Sequence, residues 1–96
     1  DIIEGIKIAL FSDIDSGEIY NIGRGKQVDL MHFIECISNE LGKEADIVLA
    51  PRHPADTLET WSNTGKLREL GYKPKVNIEV GVNAFVRWFK EYYGVK

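Results

Sequence analysis

The sequence predicts a small, helix-rich α/β domain, and three stretches carry that prediction. Glu18-Ile19-Tyr20-Asn21-Ile22 is a short run of β-formers that follows turn chemistry. Asp29 to Leu41 places apolar residues at helical spacing, and Asp46-Ile47-Val48-Leu49-Ala50 is a second β-rich run. A strand, a helix and a strand joined by short connections form a parallel βαβ unit, right-handed by rule. Its strands fall near 18–22 and 46–50, and helical patterns at both ends of the chain flank it.

In chain order, Ile2, Ile3, Ile6, Ala9 and Leu10 share one face of a first helix, which Asp1 is placed to cap. Ser12 to Gly17 is turn-forming. The central helix has Asp29 as N-cap, a Val28–Phe33 hydrophobic staple, an inward stripe of Leu30, Phe33, Ile34, Ile37 and Leu41, and Gly42 as its C-terminal stop. Asn63 caps a brief helix with Leu67 and Leu70 facing in, closed by Gly71. Asn77 opens the last helix. There Ile78, Val82, Phe85, Phe89, Tyr92 and Tyr93 form a wide core-facing stripe, with Val86 and Trp88 at its flanks and Asn83, Arg87, Lys90 and Glu91 opposite. So wide an apolar face on so small a domain points to a partner surface that these residues do not supply.

Composition narrows the function. The 96 residues are 44% hydrophobic and 28% charged, which is ordinary for a globular chain with one modest core. A net charge of −3 argues against nucleic acid and against a polybasic membrane surface. No apolar run approaches the roughly 20 residues that span a bilayer, and no signal peptide is visible. Cys36 is the only cysteine, so there is no disulfide framework or zinc cluster, and a reducing cytoplasm is the expected setting. The chain opens on Asp1 rather than Met and reads as a piece of a longer protein.

Several patterns invite chemistry and do not sustain it. Gly23-x-Gly25-x-x-Val28 lacks the third glycine of a dinucleotide loop. Tyr92-x-x-x-Lys96 falls on the fraying end of the chain. Cys36 is a half-buried, inert thiol with no neighbour in sequence to activate it. His32 lies on the polar face of its helix and is read as solvated. No metal-ligand cluster and no nucleophilic triad is spelled out.

What remains is Ala50-Pro51-Arg52-His53-Pro54-Ala55-Asp56. Two prolines fix φ and push their predecessors toward extended geometry, so a stiff, extended loop at a strand end should present Arg52, His53 and Asp56. A guanidinium fork suits a diphosphate, an imidazole donates one bond, and a carboxylate accepts from vicinal hydroxyls. From the residues alone, two further readings stay open. One is a stand-alone module for a phosphorylated small molecule, using Arg52 and the Gly23–Gly25 turn. The other is an interaction domain that pairs through its last helix.

Taken in series, Asp1-Ile2-Ile3-Glu4-Gly5, the stretch Glu18 to Gly25, the loop Pro51 to Asp56, the run Asn63 to Pro74, and the aromatic helix with Phe85, Trp88, Phe89 and Tyr93 resemble the C-terminal end of the extended short-chain dehydrogenase/reductase family. The subgroup is the NAD-dependent nucleotide-sugar epimerases and dehydratases, such as UDP-glucose 4-epimerase and UDP-glucuronate epimerase. The resemblance covers essentially the whole chain. It implies that residues 1–96 are one domain, the substrate-binding C-terminal portion of a larger cytoplasmic, homodimeric enzyme. The Rossmann domain that binds NAD and supplies the catalytic residues is then absent, so these residues include no catalytic, cofactor or metal site. The ligand would be a UDP-sugar or related nucleotide-sugar, held by Arg52, His53 and Asp56, and the chain alone would be inactive. In the family an Arg-x-Gly-Asp loop sets Arg on the diphosphate and Asp on the ribose hydroxyls. Asp56 falls at the Asp position, His53 at the Arg position and Ala55 at the Gly position, with Arg52 one residue earlier as the substitute cation.

Overall fold

The computed structural model describes all of residues 1–96. It contains α1 (Ile2–Phe11), α2 (Leu30–Leu41), α3 (Gly65–Glu69) and α4 (Ile78–Tyr93), and no strand. The chain forms two compact units, each built from two separate segments: 1–27 with 57–75, and 28–56 with 76–96.

The expected βαβ unit is therefore absent, and the fold is helical. β-propensity describes residues that suit a pleated surface, but the ladder itself needs a neighbour to hydrogen-bond. The two β-rich runs lie in different units. At 18–22 the contacts are with side chains and turns, and no strand lies alongside. Lys66 Nζ reaches both the Glu18 carboxylate and the Ile19 carbonyl (3.0 Å), and Asn21 Nδ2 donates to the Asn63 carbonyl at 3.3 Å. Val48 and Leu49, in the second run, are 84% and 86% exposed.

In the first unit α1 packs on α3. The predicted apolar face of α1 is mostly uncovered: Ile2, Ile3, Ile6 and Leu10 are exposed, Ala9 is half-buried, and the buried residue is Gly5. A Cβ there would stand 2.8 Å from Ile22 Cγ2 and 3.4 Å from Leu67 Cδ2, so the missing side chain is what lets the helix approach. Asp1 caps the helix by position only. Its carboxylate accepts from the Lys75 N–H at 3.0 Å instead. Leu67 and Tyr72 are fully buried with Thr64 beside them, and Leu70 is only half-buried. The N-cap position of the brief helix falls one residue later than expected, on Thr64, while Asn63 Oδ1 accepts from the Gly65 N–H at 3.1 Å.

In the second unit α2 packs on α4. Local signals set these helices as the sequence implies. The Asp29 carboxylate accepts from the His32 N–H, Gly42 takes the left-handed φ of 67°, and Asn77 Oδ1 accepts from the Val80 N–H at 2.9 Å. The seam differs from the predicted stripe. Val82 and Val86 are the buried residues of α4, whereas Phe85, Trp88, Tyr92 and Tyr93 are exposed. The aromatic rings contact one another along the helix: Trp88 stacks on Tyr92 at 5.2 Å between centroids, and Phe89 meets Tyr93 in a tilted arrangement at 4.7 Å. Of the side read as solvent-facing, Arg87 and Glu91 are exposed, but Asn83 and Lys90 turn to α2. Asn83 Nδ2 donates to the Glu40 carboxylate and Lys90 Nζ to the Glu40 carbonyl, each at 2.8 Å.

Candidate functional site

The loop 51–56 closes on itself instead of running extended. The Asp56 N–H donates to the His53 carbonyl at 3.0 Å, which makes His53-Pro54-Ala55-Asp56 a β-turn. Pro54 occupies the second position, where its fixed φ is already correct, and Ala55 has no positive φ. Proline thus stiffens this loop as the sequence implies, but into a bend.

The turn sets the donors and acceptors. His53 Nδ1 accepts from the Ala55 N–H at 3.1 Å. With Nδ1 as acceptor, the N–H of the neutral tautomer lies on Nε2. Arg52 Nη1 donates to the Asp56 carbonyl, which clasps the loop. This bond uses one of the five donors of the guanidinium. Asp56 serves the turn through its backbone N–H and C=O, and the residue is exposed. The three predicted residues are thus brought together on one surface turn of the second unit. None of them lines the apolar groove between α2 and α4.

A second polar cluster was not legible in the sequence. His32 Nε2 lies 2.7 Å from Glu79 Oε1, linking α2 to the first turn of α4, and Cys36 Sγ lies 3.7 Å from the same nitrogen. The Glu79 hydrogen bond holds the imidazole above its ordinary pKa of 6.5, with further support from Glu79, Glu35 and Asp29 as charges. Burial, then the charges of Glu79, Glu35 and Glu40, push the Cys36 thiol up, which leaves it in the unreactive form. His32 is therefore paired, not merely solvated. The i, i+4 spacing of His32 and Cys36 was visible; the partner 47 residues away was not. No group of three or more His, Cys, Asp or Glu side chains has the arrangement to hold a metal ion. No helix is long and apolar enough to cross a membrane.

Beneath the aromatic stripe an open groove of about 460 Å³ runs between α2 and α4, lined by Phe33, Ile37, Leu41, Val82 and Phe89 among others. Its walls are almost wholly apolar, which suits packing better than recognition of a charged ligand.

Comparison with known proteins adds an independent line. The chain is 44% identical over 92 residues to an uncharacterized protein of Methanocaldococcus jannaschii, covering 95% of this chain and 28% of that one. It is 46% identical over 77 residues to protein CapI of Staphylococcus aureus, covering 79% and 23%. It is 34% identical over 76 residues to a probable UDP-glucuronate 4-epimerase of Rhizobium meliloti, covering 78% and 22%. Other relatives, 26–34% identical, carry the names UDP-glucuronate 4-epimerase and UDP-glucose 4-epimerase. The chain spans only 22–28% of the length of the three relatives described. No protein-family model matches it, and no solved structure matches it at a significant level.

Proposed function

We propose that this chain, a homologue of the UDP-sugar 4-epimerases over most of its length, is the substrate-holding C-terminal part of an NAD-dependent nucleotide-sugar epimerase. The single observation that carries the reading is that homology. The geometry of the 52–56 turn supports it. In this reading the Asp56 carboxylate accepts from the ribose hydroxyls, and the Nε2–H of His53 donates to a diphosphate oxygen. Arg52 supplies positive charge while its clasp on the Asp56 carbonyl holds the turn in shape. NAD, bound by the rest of the enzyme, supplies the hydride acceptor. These residues orient the nucleotide and do not exchange protons with the sugar. The intact enzyme is then cytoplasmic and homodimeric, with a UDP-sugar as substrate.

Two measurements test this. The 96-residue chain, incubated with NAD and UDP-glucose, UDP-galactose or UDP-glucuronate, should yield no epimerised sugar; turnover would overturn the reading. Calorimetry with UDP should give weak, saturable binding that Asp56→Ala weakens. Equal binding by wild type and Asp56→Ala would remove the turn from the substrate site.

A further inference from the structure

The first unit holds a cleft of about 290 Å³ walled by Arg24, Lys26, Arg68, Lys73 and Pro74. Four cations meet there with no carboxylate among the lining residues, in a chain whose net charge is −3. Like charges around one cleft repel one another, and an anion between them removes that repulsion.

The cleft is built, not accidental in shape. One wall is the Gly23–Lys26 turn and the other is the end of α3 with the segment after it. The Tyr72 hydroxyl ties the two by donating to the Gly23 carbonyl at 2.9 Å. Arg68 is held in place between them. Its Nε donates to Oγ1 of the buried Thr64 at 2.8 Å, and its Nη2 donates to the Arg24 carbonyl at 3.3 Å. Gly25 has φ +77°, and a Cβ there would come within 3.2 Å of both Arg68 Nη2 and Thr64 Oγ1. The glycine thus lets the turn lie against the guanidinium. These two bonds use two of the five guanidinium donors, and the remaining three, with two lysines and a second arginine around them, suit phosphoryl oxygens.

We propose that this cleft, built from residues of the first unit alone, binds a diphosphate-type anion. Its volume exceeds what one phosphate needs. Arg68 presents the oriented donors, and Lys26 and Lys73, both exposed, close on the anion from the rim.

The experiment titrates the ¹⁵N-labelled 96-residue chain with inorganic pyrophosphate, at ionic strength held constant with sodium chloride. A saturable shift of the amides at 23–26 and 73–75 is expected, weakened at least tenfold in Lys26→Ala/Lys73→Ala. UDP run in parallel distinguishes the sources: a response at the same amides assigns an esterified diphosphate, and a response to pyrophosphate alone assigns a free one. Shifts that never saturate, that chloride reproduces, or that the double variant leaves unchanged would overturn the proposal. The same titration in Asp56→Ala should be unaltered, so that failure of the substrate-turn reading and failure of this one are told apart.

Discussion

Tyr72 donates its phenolic hydrogen to the Gly23 carbonyl at 2.9 Å while its ring is fully buried, and so joins two segments 49 residues apart in the chain. Tyr72→Phe keeps the ring and strands the carbonyl, so it should cost about 1 kcal/mol. Tyr72→Ala empties the core site as well and should cost about 3–5 kcal/mol, by analogy with other aromatic truncations. Urea denaturation separates the two. Equal losses would mean that the hydroxyl, not the ring, carries the stability.

Gly23 is held by close approach as well. A Cβ built on it would overlap Ser62 Oγ and stand 3.1 Å from Ser62 Cβ. Gly23→Ala should therefore destabilise by about 1–3 kcal/mol, as overpacking does. In a Ser62→Gly background most of that penalty should vanish, a coupling of about 0.5–3 kcal/mol in a double-mutant cycle. Additive effects would show that Gly23 is needed for its backbone and not for the space.

Lys90 reaches across from α4 to the Glu40 carbonyl in the last turn of α2, where carbonyls lack helical partners and the dipole favours a cation. Lys90→Met should lower stability by about 0.5–1.5 kcal/mol, the range of one such bond. Asn83→Leu, which strands the Glu40 carboxylate on the same seam, should act in the same direction. Thermal unfolding of both variants measures this, and unchanged stability in each would show that the apolar seam at Val82 and Val86 suffices.

These seams mark how far the sequence was legible. Asp29, Gly42 and Asn77 act on neighbours within a few residues, so local spacing revealed the helix ends. Ile19 and Val48 favour strand only where another strand lies alongside, and their own residues do not carry that information. The aromatic stripe of α4 misled for a related reason. Apolar spacing shows that a face wants cover, but the choice between Val86 and Phe85 as the inward residue depends on what α2 offers. The 52–56 turn was half legible: the prolines announced stiffness, while the bend came from the backbone bond between Asp56 and His53. His32 looked solvated because Glu79 lies on a different helix.

That His32–Glu79 pair makes stability depend on pH. The folded-state pKa of His32 is raised above its ordinary value of 6.5, chiefly by the hydrogen bond to Glu79. The native state therefore holds the proton more tightly than the unfolded chain does. The pair's stabilisation is fully present below the unfolded pKa and is lost as pH rises through the folded one. Thermal unfolding from about pH 6 to pH 9 should show a midpoint that declines through this window in the wild type. His32→Gln should flatten that component. Glu79→Gln should do so too, because the remaining charges, Glu35 and Asp29, contribute less than the hydrogen bond. Parallel profiles for wild type and His32→Gln would show that the contact between α2 and α4 does not draw on the proton.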